Sequence, residues 1–184
     1  MPIKTPICDF GQKAKSFELK STNNQIVTLN DIKGKNGTLI MFICNHCPYV
    51  KAIVKDIVED CKNLKKLGIK TVAICSNDSI NYPEDSFDNM IKFSKDHNFN
   101  FPYLIDETQE VAKDYNAVCT PDFFGYNKNF ELQYRGRIRE LRNLKPVRTG
   151  YSDLLKAMKQ IADTDMGPKE QVPSMGCSIK WLDN

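Results

Sequence analysis

Thr38-Leu39-Ile40-Met41-Phe42-Ile43-Cys44-Asn45-His46-Cys47-Pro48 is the stretch on which the reading of this chain turns. Thr38 to Ile43 is an unbroken apolar and β-branched run, the pattern of a buried strand. It stops at a Cys-x-x-Cys, and a helical pattern begins at once. Two sulfurs at that spacing can close a small disulfide ring and reopen it. A cysteine at a helix N-terminus meets free N–H groups and partial positive charge, which favour thiolate over thiol. Two blander readings compete: a pair of buried structural cysteines, or half a zinc site. The position between strand and helix argues against the first, and the lack of a second Cys-x-x-Cys against the second. Pro48 suits the first helical position and disfavours helical geometry at Cys47, so the spacing predicts a helix starting at Pro48 with Cys47 as its cap. The helix dipole then acts more on Cys47 than on Cys44.

Working outward, Val50, Val54, Ile57, Cys61 and Leu64 recur at helical spacing, predicting an amphipathic helix over roughly 48–67 stopped by Gly68. Ile69 to Cys75 is a second apolar strand, so strand, helix and strand form a βαβ unit with parallel strands. Upstream, residues 16–19 and 25–29 alternate as two strands around Thr22-Asn23-Asn24. Downstream come a helix near 84–96, an extended piece at Phe101–Ile105, a helix from Thr108 to Tyr115, and a hairpin of 123–126 and 130–135 around Asn127-Lys128-Asn129. A last helix follows over 150–162, then a Gly- and Pro-rich tail. The expected organisation is one α/β domain, residues 1–163, with residues 164–184 a tail packing on or over it.

The 184 residues, 41% hydrophobic and 27% charged, are ordinary for a globular domain. A net charge of +3 without a basic block gives no footing for nucleic acid. No segment approaches the ~20 apolar residues of a membrane span, and Met1 to Pro6 has no apolar signal core. The seven cysteines are odd in number and scattered, which points to a reducing cytoplasm, where a Cys pair is catalytic or metal-binding more often than structural.

A strand leading into Cys44-x-x-Cys47, a βαβ unit, a Thr120-Pro121 step, a hairpin and a closing helix resemble the thioredoxin fold. The extra N-terminal strands, and Tyr103-Leu104-Ile105-Asp106 ahead of Thr120-Pro121-Asp122, look like its peroxiredoxin-like branch, the alkyl hydroperoxide reductase/thiol-specific antioxidant family. Cys44-Asn45-His46-Cys47-Pro48-Tyr49-Val50-Lys51 and Pro173-Ser174-Met175-Gly176-Cys177-Ser178-Ile179-Lys180-Trp181 are similar to a peroxiredoxin-like subfamily. The resemblance implies a central mixed sheet flanked by helices, with Pro121 cis and facing the dithiol. It implies that the Thr120 backbone pairs with an extended substrate. It also implies that Cys44, the more exposed thiolate, attacks a disulfide and that Cys47 displaces the reduced product. His46 as imidazolium would stabilise Cys44, making the pair more oxidising than thioredoxin's ~−270 mV. The implied partners are a protein or small-molecule disulfide or a peroxide, and a thiol electron donor. No cofactor and no metal are implied.

The chain departs from its relatives in places. Ile43 and Thr38 stand where thioredoxin has a Trp and a buried acid. Met41 and Gly37 stand where peroxiredoxins carry the Thr and Pro of Pro-x-x-x-Thr-x-x-Cys, and Arg139 stands where relatives tend to be acidic.

Among the other cysteines, Cys61 and Cys75 read as structural, and Cys8 has no assigned role. Cys119 lies two residues before Pro121, a packing residue or a spare redox partner. Cys177 reads two ways: a resolving thiol or plug that forms a disulfide with Cys44, or part of a tail held by Met175, Ile179 and Trp181. The leading function is a thiol–disulfide oxidoreductase. One alternative is a thiol-dependent peroxidase in which Cys47 or Cys177 captures a Cys44 sulfenic acid. Another is a metal-binding protein using Cys44, His46, Cys47 and a distant ligand such as Cys177, against which the adjacent His46 and Cys47 make a poor chelate.

Overall fold

A computed structural model describes residues 1–183; Asn184, the end of the expected tail, lies outside the described residues. The chain opens with a short strand, β1 (Ile3–Lys4), and a hairpin of β2 (Glu18–Ser21) and β3 (Ile26–Thr28). β4 (Gly37–Phe42) is the central strand, buried along its whole length. α1 (Pro48–Lys66) starts at the proline, with Cys47 as an extended N-cap, and Gly68 ends the turn after it with a positive φ of 77°. β5 (Ile69–Cys75) completes the βαβ unit. α2 (Phe87–Asp96) is capped by the Ser86 side chain, which accepts from the Asn89 N–H. β6 (Tyr103–Ile105), α3 (Glu110–Asp114), β7 (Cys119–Thr120), β8 (Asp122–Tyr126) and β9 (Leu132–Tyr134) follow. Sequence periodicity did not resolve the small hairpin of β10 (Leu141–Arg142) and β11 (Lys145–Pro146). α4 (Asp153–Thr164) runs slightly past the expected helix and stops at Asp165, whose φ is 61°. The tail then forms a true strand, β12 (Met175–Ser178).

The main sheet is mixed, in the order β3-β2-β6-β5-β4-β8-β9. β4 pairs parallel with β5 and antiparallel with β8, and β5 pairs parallel with β6. Because side chains alternate across a strand, β4 feeds two cores. Leu39, Met41 and Ile43 pack toward α1, α2 and α4 with Ile53, Ile57, Met90 and Ile161. Ile40 and Phe42 pack on the other face with Val72, Ile74, Val111 and Phe124. This double burial explains the unalternating apolar run that read as a central strand.

The departures find local roles. The Thr38 hydroxyl donates to the Ile32 carbonyl (3.0 Å) and accepts from the Gly34 N–H (3.2 Å), closing the turn that precedes β4. Arg139 binds Asp56 of α1 (3.1 Å) and the Val147 carbonyl (3.2 Å), and Arg148 reaches the same carboxylate (2.9 Å), so the β10–β11 hairpin is tied to α1. A buried Arg135 holds Asp122 at 3.2 and 2.9 Å and the Asn116 carbonyl at 2.8 Å, which fixes the chain on either side of Thr120-Pro121.

Candidate active site

The site forms where β4 ends, α1 begins and the Thr120-Pro121 step passes. That peptide bond is cis. Thr120 touches both sulfurs: its hydroxyl lies 3.4 Å from Cys44 Sγ, and its carbonyl oxygen lies 3.2 Å from Cys47 Sγ. The two sulfurs shift each other's ionisation in opposite senses. The expectation that Cys44 is the more exposed thiol is corrected here. Cys44 is 1% and Cys47 0% exposed, because β12 lies against the mouth of the pair.

Of the two sulfurs, Cys47 is the one whose surroundings favour a thiolate. The hydrogen bond from Cys44 lowers its pKa to about 4, helped by contacts with Cys177, the Val50 N–H at the start of α1, and Thr120, and opposed by burial. Cys44 moves the other way, raised by the same shared hydrogen bond, by burial and by the nearby Asp85 carboxylate. The start of α1 at Pro48 makes Cys47 its N-cap, and the Val50 N–H of that first turn adds a smaller part of the lowering.

His46 Nδ1 lies 2.6 Å from Asp85 Oδ2, and its ring stacks on Tyr82 at 5.9 Å. Facing a carboxylate, which only accepts, Nδ1 is the nitrogen that carries hydrogen. Asp85 is 1% exposed and also accepts from the Asn45 N–H (2.8 Å) and the Asn77 amide (2.9 Å). Tyr103 donates its hydroxyl to Asn45 Oδ1 at 2.8 Å. Asp85 therefore anchors the loop between the two cysteines.

The structure brings together Cys44, His46, Cys47, Thr120, Pro121 and Cys177. Cys119 hydrogen-bonds to the Pro121 carbonyl (3.6 Å), and its thiol is raised by burial, which fits packing. Burial likewise raises Cys61 and Cys75 to about 12 and Cys8 to about 11. Cys177 lies near Cys47, not Cys44, as its expected pairing had it: Sγ to Sγ is 2.9 Å. Among the described residues, Cys44, His46 and Asp85 are the set whose donor atoms lie within 4.8 Å of one another, so Asp85 replaces Cys47 in the ligand set the sequence suggested. His46 and Asp85 already hold each other, and Asp85 has two further donors, so an ion would have to break this network. Sequence reasoning missed Asp85, Asn45 and Tyr103. The only signal for Asp85 is its place in a polar loop, 39 positions from His46.

The AhpC/TSA family profile matches residues 10–141. The chain belongs to the AhpC/TSA family. A crystal structure of an uncharacterized conserved protein from Geobacillus kaustophilus is 37% identical, covering 100% of this chain and 98% of that one, with a TM-score of 0.90. A hypothetical protein from Sinorhizobium meliloti is 33% identical over 98% of each chain, with a TM-score of 0.89. Among curated relatives, thiol-disulfide oxidoreductase ResA of Bacillus subtilis is 28% identical over 117 residues, 64% of this chain and 61% of that protein. The match thus spans less than two thirds of ResA. Peroxiredoxin Bcp of the same organism is 24% identical over 162 residues, 84% of this chain and 98% of that protein. Thioredoxin-like structures at lower identity, such as a Mycobacterium tuberculosis peroxidoxin at 14% and a TM-score of 0.57, share the fold of this AhpC/TSA member. No described helix is long and apolar enough to cross a membrane.

Proposed function

We propose that this chain is a thiol–disulfide oxidoreductase whose working pair is Cys44 and Cys47, acting on a protein or small-molecule disulfide and reset by a thiol donor. The contact of Thr120 with both sulfurs carries the reading: Cys44 and Cys47 lie 3.4 Å from its hydroxyl and 3.2 Å from its carbonyl oxygen, and Cys47 is the sulfur whose surroundings favour a thiolate. Cys44 attacks. It lies beside His46, whose side chain is 26% exposed and marks the way to solvent, whereas Cys47 is covered by Thr120 and Cys177. As Cys44 attacks, its proton passes to Cys47, and one substrate sulfur leaves as thiolate. Cys47 then gives that proton to the departing thiolate and displaces the remaining substrate sulfur, leaving the Cys44–Cys47 disulfide. The Thr120 backbone and Pro121 are the substrate-binding edge, and a reducing cytoplasm belongs to the same proposal. Similarity to ResA supports this reading, and similarity to Bcp supports a peroxide-consuming variant through a Cys44 sulfenic acid. Met41 and Gly37 withhold the Thr and Pro on which peroxiredoxin chemistry is built, so disulfide exchange is preferred.

The test uses oxidised glutathione on the reduced protein. Wild type loses two thiol hydrogens, Cys177→Ser loses both within one tryptic peptide, residues 36–51, and Cys47→Ser accumulates a mixed disulfide at Cys44. Peroxide consumption by Cys47→Ser at a rate matching disulfide turnover would instead favour the peroxidase. Failure of wild type to oxidise would sink both.

A further inference from the structure

The C-terminal strand carries a third thiol into this site. β12 pairs antiparallel with β7, Cys177 opposite Thr120 and Ser178 opposite Cys119. Its other edge is held by β1, Ile3 opposite Gly176 and Lys4 opposite Met175. Around it, Ser174 Oγ donates to the Pro121 carbonyl (2.8 Å), and the Thr5 N–H donates to the Ser174 carbonyl (2.9 Å). Gln109 then clamps the following residues, donating to the Lys180 carbonyl (2.8 Å) and accepting from the Leu182 N–H (2.9 Å), with Ile179 buried between. The tail is therefore a fitted strand on the backbone edge of Thr120. That is the edge the functional reading assigns to an extended substrate, and it is occupied from within the chain.

The occupant presents a sulfur. Cys177 Sγ lies 2.9 Å from Cys47 Sγ, and Thr120 lies against both Cys47 and Cys44. Cys47 is thus the member of the pair that Cys177 meets. A disulfide needs the sulfurs at about 2.05 Å, a sub-ångström approach from where they stand.

Resting on the oxidoreductase reading, we propose that Cys177 is a third redox-active cysteine, which exchanges into the Cys44–Cys47 disulfide and moves it to Cys47–Cys177. Cys177 loses its proton and attacks Cys47 Sγ. The Cys44–Cys47 bond breaks, Cys44 leaves as the thiolate, and the proton returns to it. One S–S bond forms as one breaks, so the number of electrons is unchanged. The oxidising equivalents are those already taken from the substrate disulfide. Burial and the Cys47 thiolate raise Cys177 to about 11 in the reduced site; the second of these causes disappears once Cys47 is bonded to Cys44. The exchange stitches β12 onto the Thr120 edge. The oxidised protein is therefore the form with its substrate edge covalently closed and Cys44 released as a free thiol.

The experiment oxidises the reduced full chain with one equivalent of oxidised glutathione, alkylates the remaining thiols, digests with trypsin and maps peptides without reduction. Wild type and Cys44→Ser should both yield residues 36–51 linked to residues 170–180. Cys47→Ser should not yield that link, and Cys177→Ser should keep the internal disulfide of residues 36–51. If Cys177 is fully alkylated in wild type and Cys44→Ser while Cys177→Ser still forms Cys44–Cys47, the exchange is wrong and the oxidoreductase reading stands. If Cys177→Ser forms no Cys44–Cys47 disulfide although it folds like wild type, the oxidoreductase reading fails and the exchange falls with it.

Discussion

At the scale of single residues, the distinctive feature is where the negative charge rests. The surroundings of Cys47 lower its pKa to about 4, which favours a thiolate at neutral pH. Absorbance of the reduced protein at 240 nm should therefore titrate far below the ordinary cysteine range of ~8.5, and Cys47→Ser should abolish the transition. A folded-state pKa below the unfolded one adds stability above the unfolded value, and this is lost as pH falls toward about 4. The reduced form should lose stability on acidification over that window more steeply than the oxidised form. A stabilised thiolate also favours the reduced state, so equilibration with glutathione should give a potential above ~−270 mV; a value at or below it would contradict the charge assignment. Asp85 acts in the opposite sense on Cys44. Asp85→Asn should make Cys44 more acidic and speed its alkylation at neutral pH in a Cys47→Ser background. An unchanged rate would mean that Asp85 only shapes the loop.

At the scale of elements, α1 and α4 are joined by a polar contact inside an apolar interface. Ser152 caps α4, accepting from the Leu155 N–H (2.9 Å) while its hydroxyl donates to the buried Asp60 of α1. Ser152→Ala should lower stability by about 0.5–2 kcal/mol for the cap alone, and by more because Asp60 loses its donor; urea denaturation measures the sum. Burial raises Asp60 to about 6, with Ser152 pulling it down. A carboxyl raised on folding contributes stability below its unfolded value near ~4, and this contribution is lost as pH rises through about 6. Comparing urea midpoints of the oxidised proteins between those limits, where Cys47 holds no thiolate, Asp60→Asn should remove the fall that Asp60 contributes. Helical spacing disclosed both helices and their apolar faces, but not Ser152–Asp60, whose partners lie 92 positions apart.

At the scale of the whole molecule, both chain ends converge on the site, and the protein closes its own cleft. Gly176 is the point of closest passage: a Cβ there would collide with the Thr120 carbonyl. Gly176→Val should lift β12 from β7 and expose the pair. Each ~1.4 kcal/mol of lost docking raises the open population about tenfold, so native-state alkylation of Cys47 should accelerate by at least that factor. An unaccelerated rate in a folded variant would show that another segment covers the dithiol.

Local patterns alone determined a great deal here. The run Thr38–Ile43, the Cys-x-x-Cys and the helix beginning at Pro48 specify the central strand, the βαβ unit and the place of the two sulfurs, because strand burial and helix capping are written in neighbouring residues. Only tertiary structure decided which sulfur carries the charge, which acid holds His46, and that Cys177 meets Cys47. Those contacts join residues 39 and 130 positions apart and depend on the approach of backbones that no periodicity records.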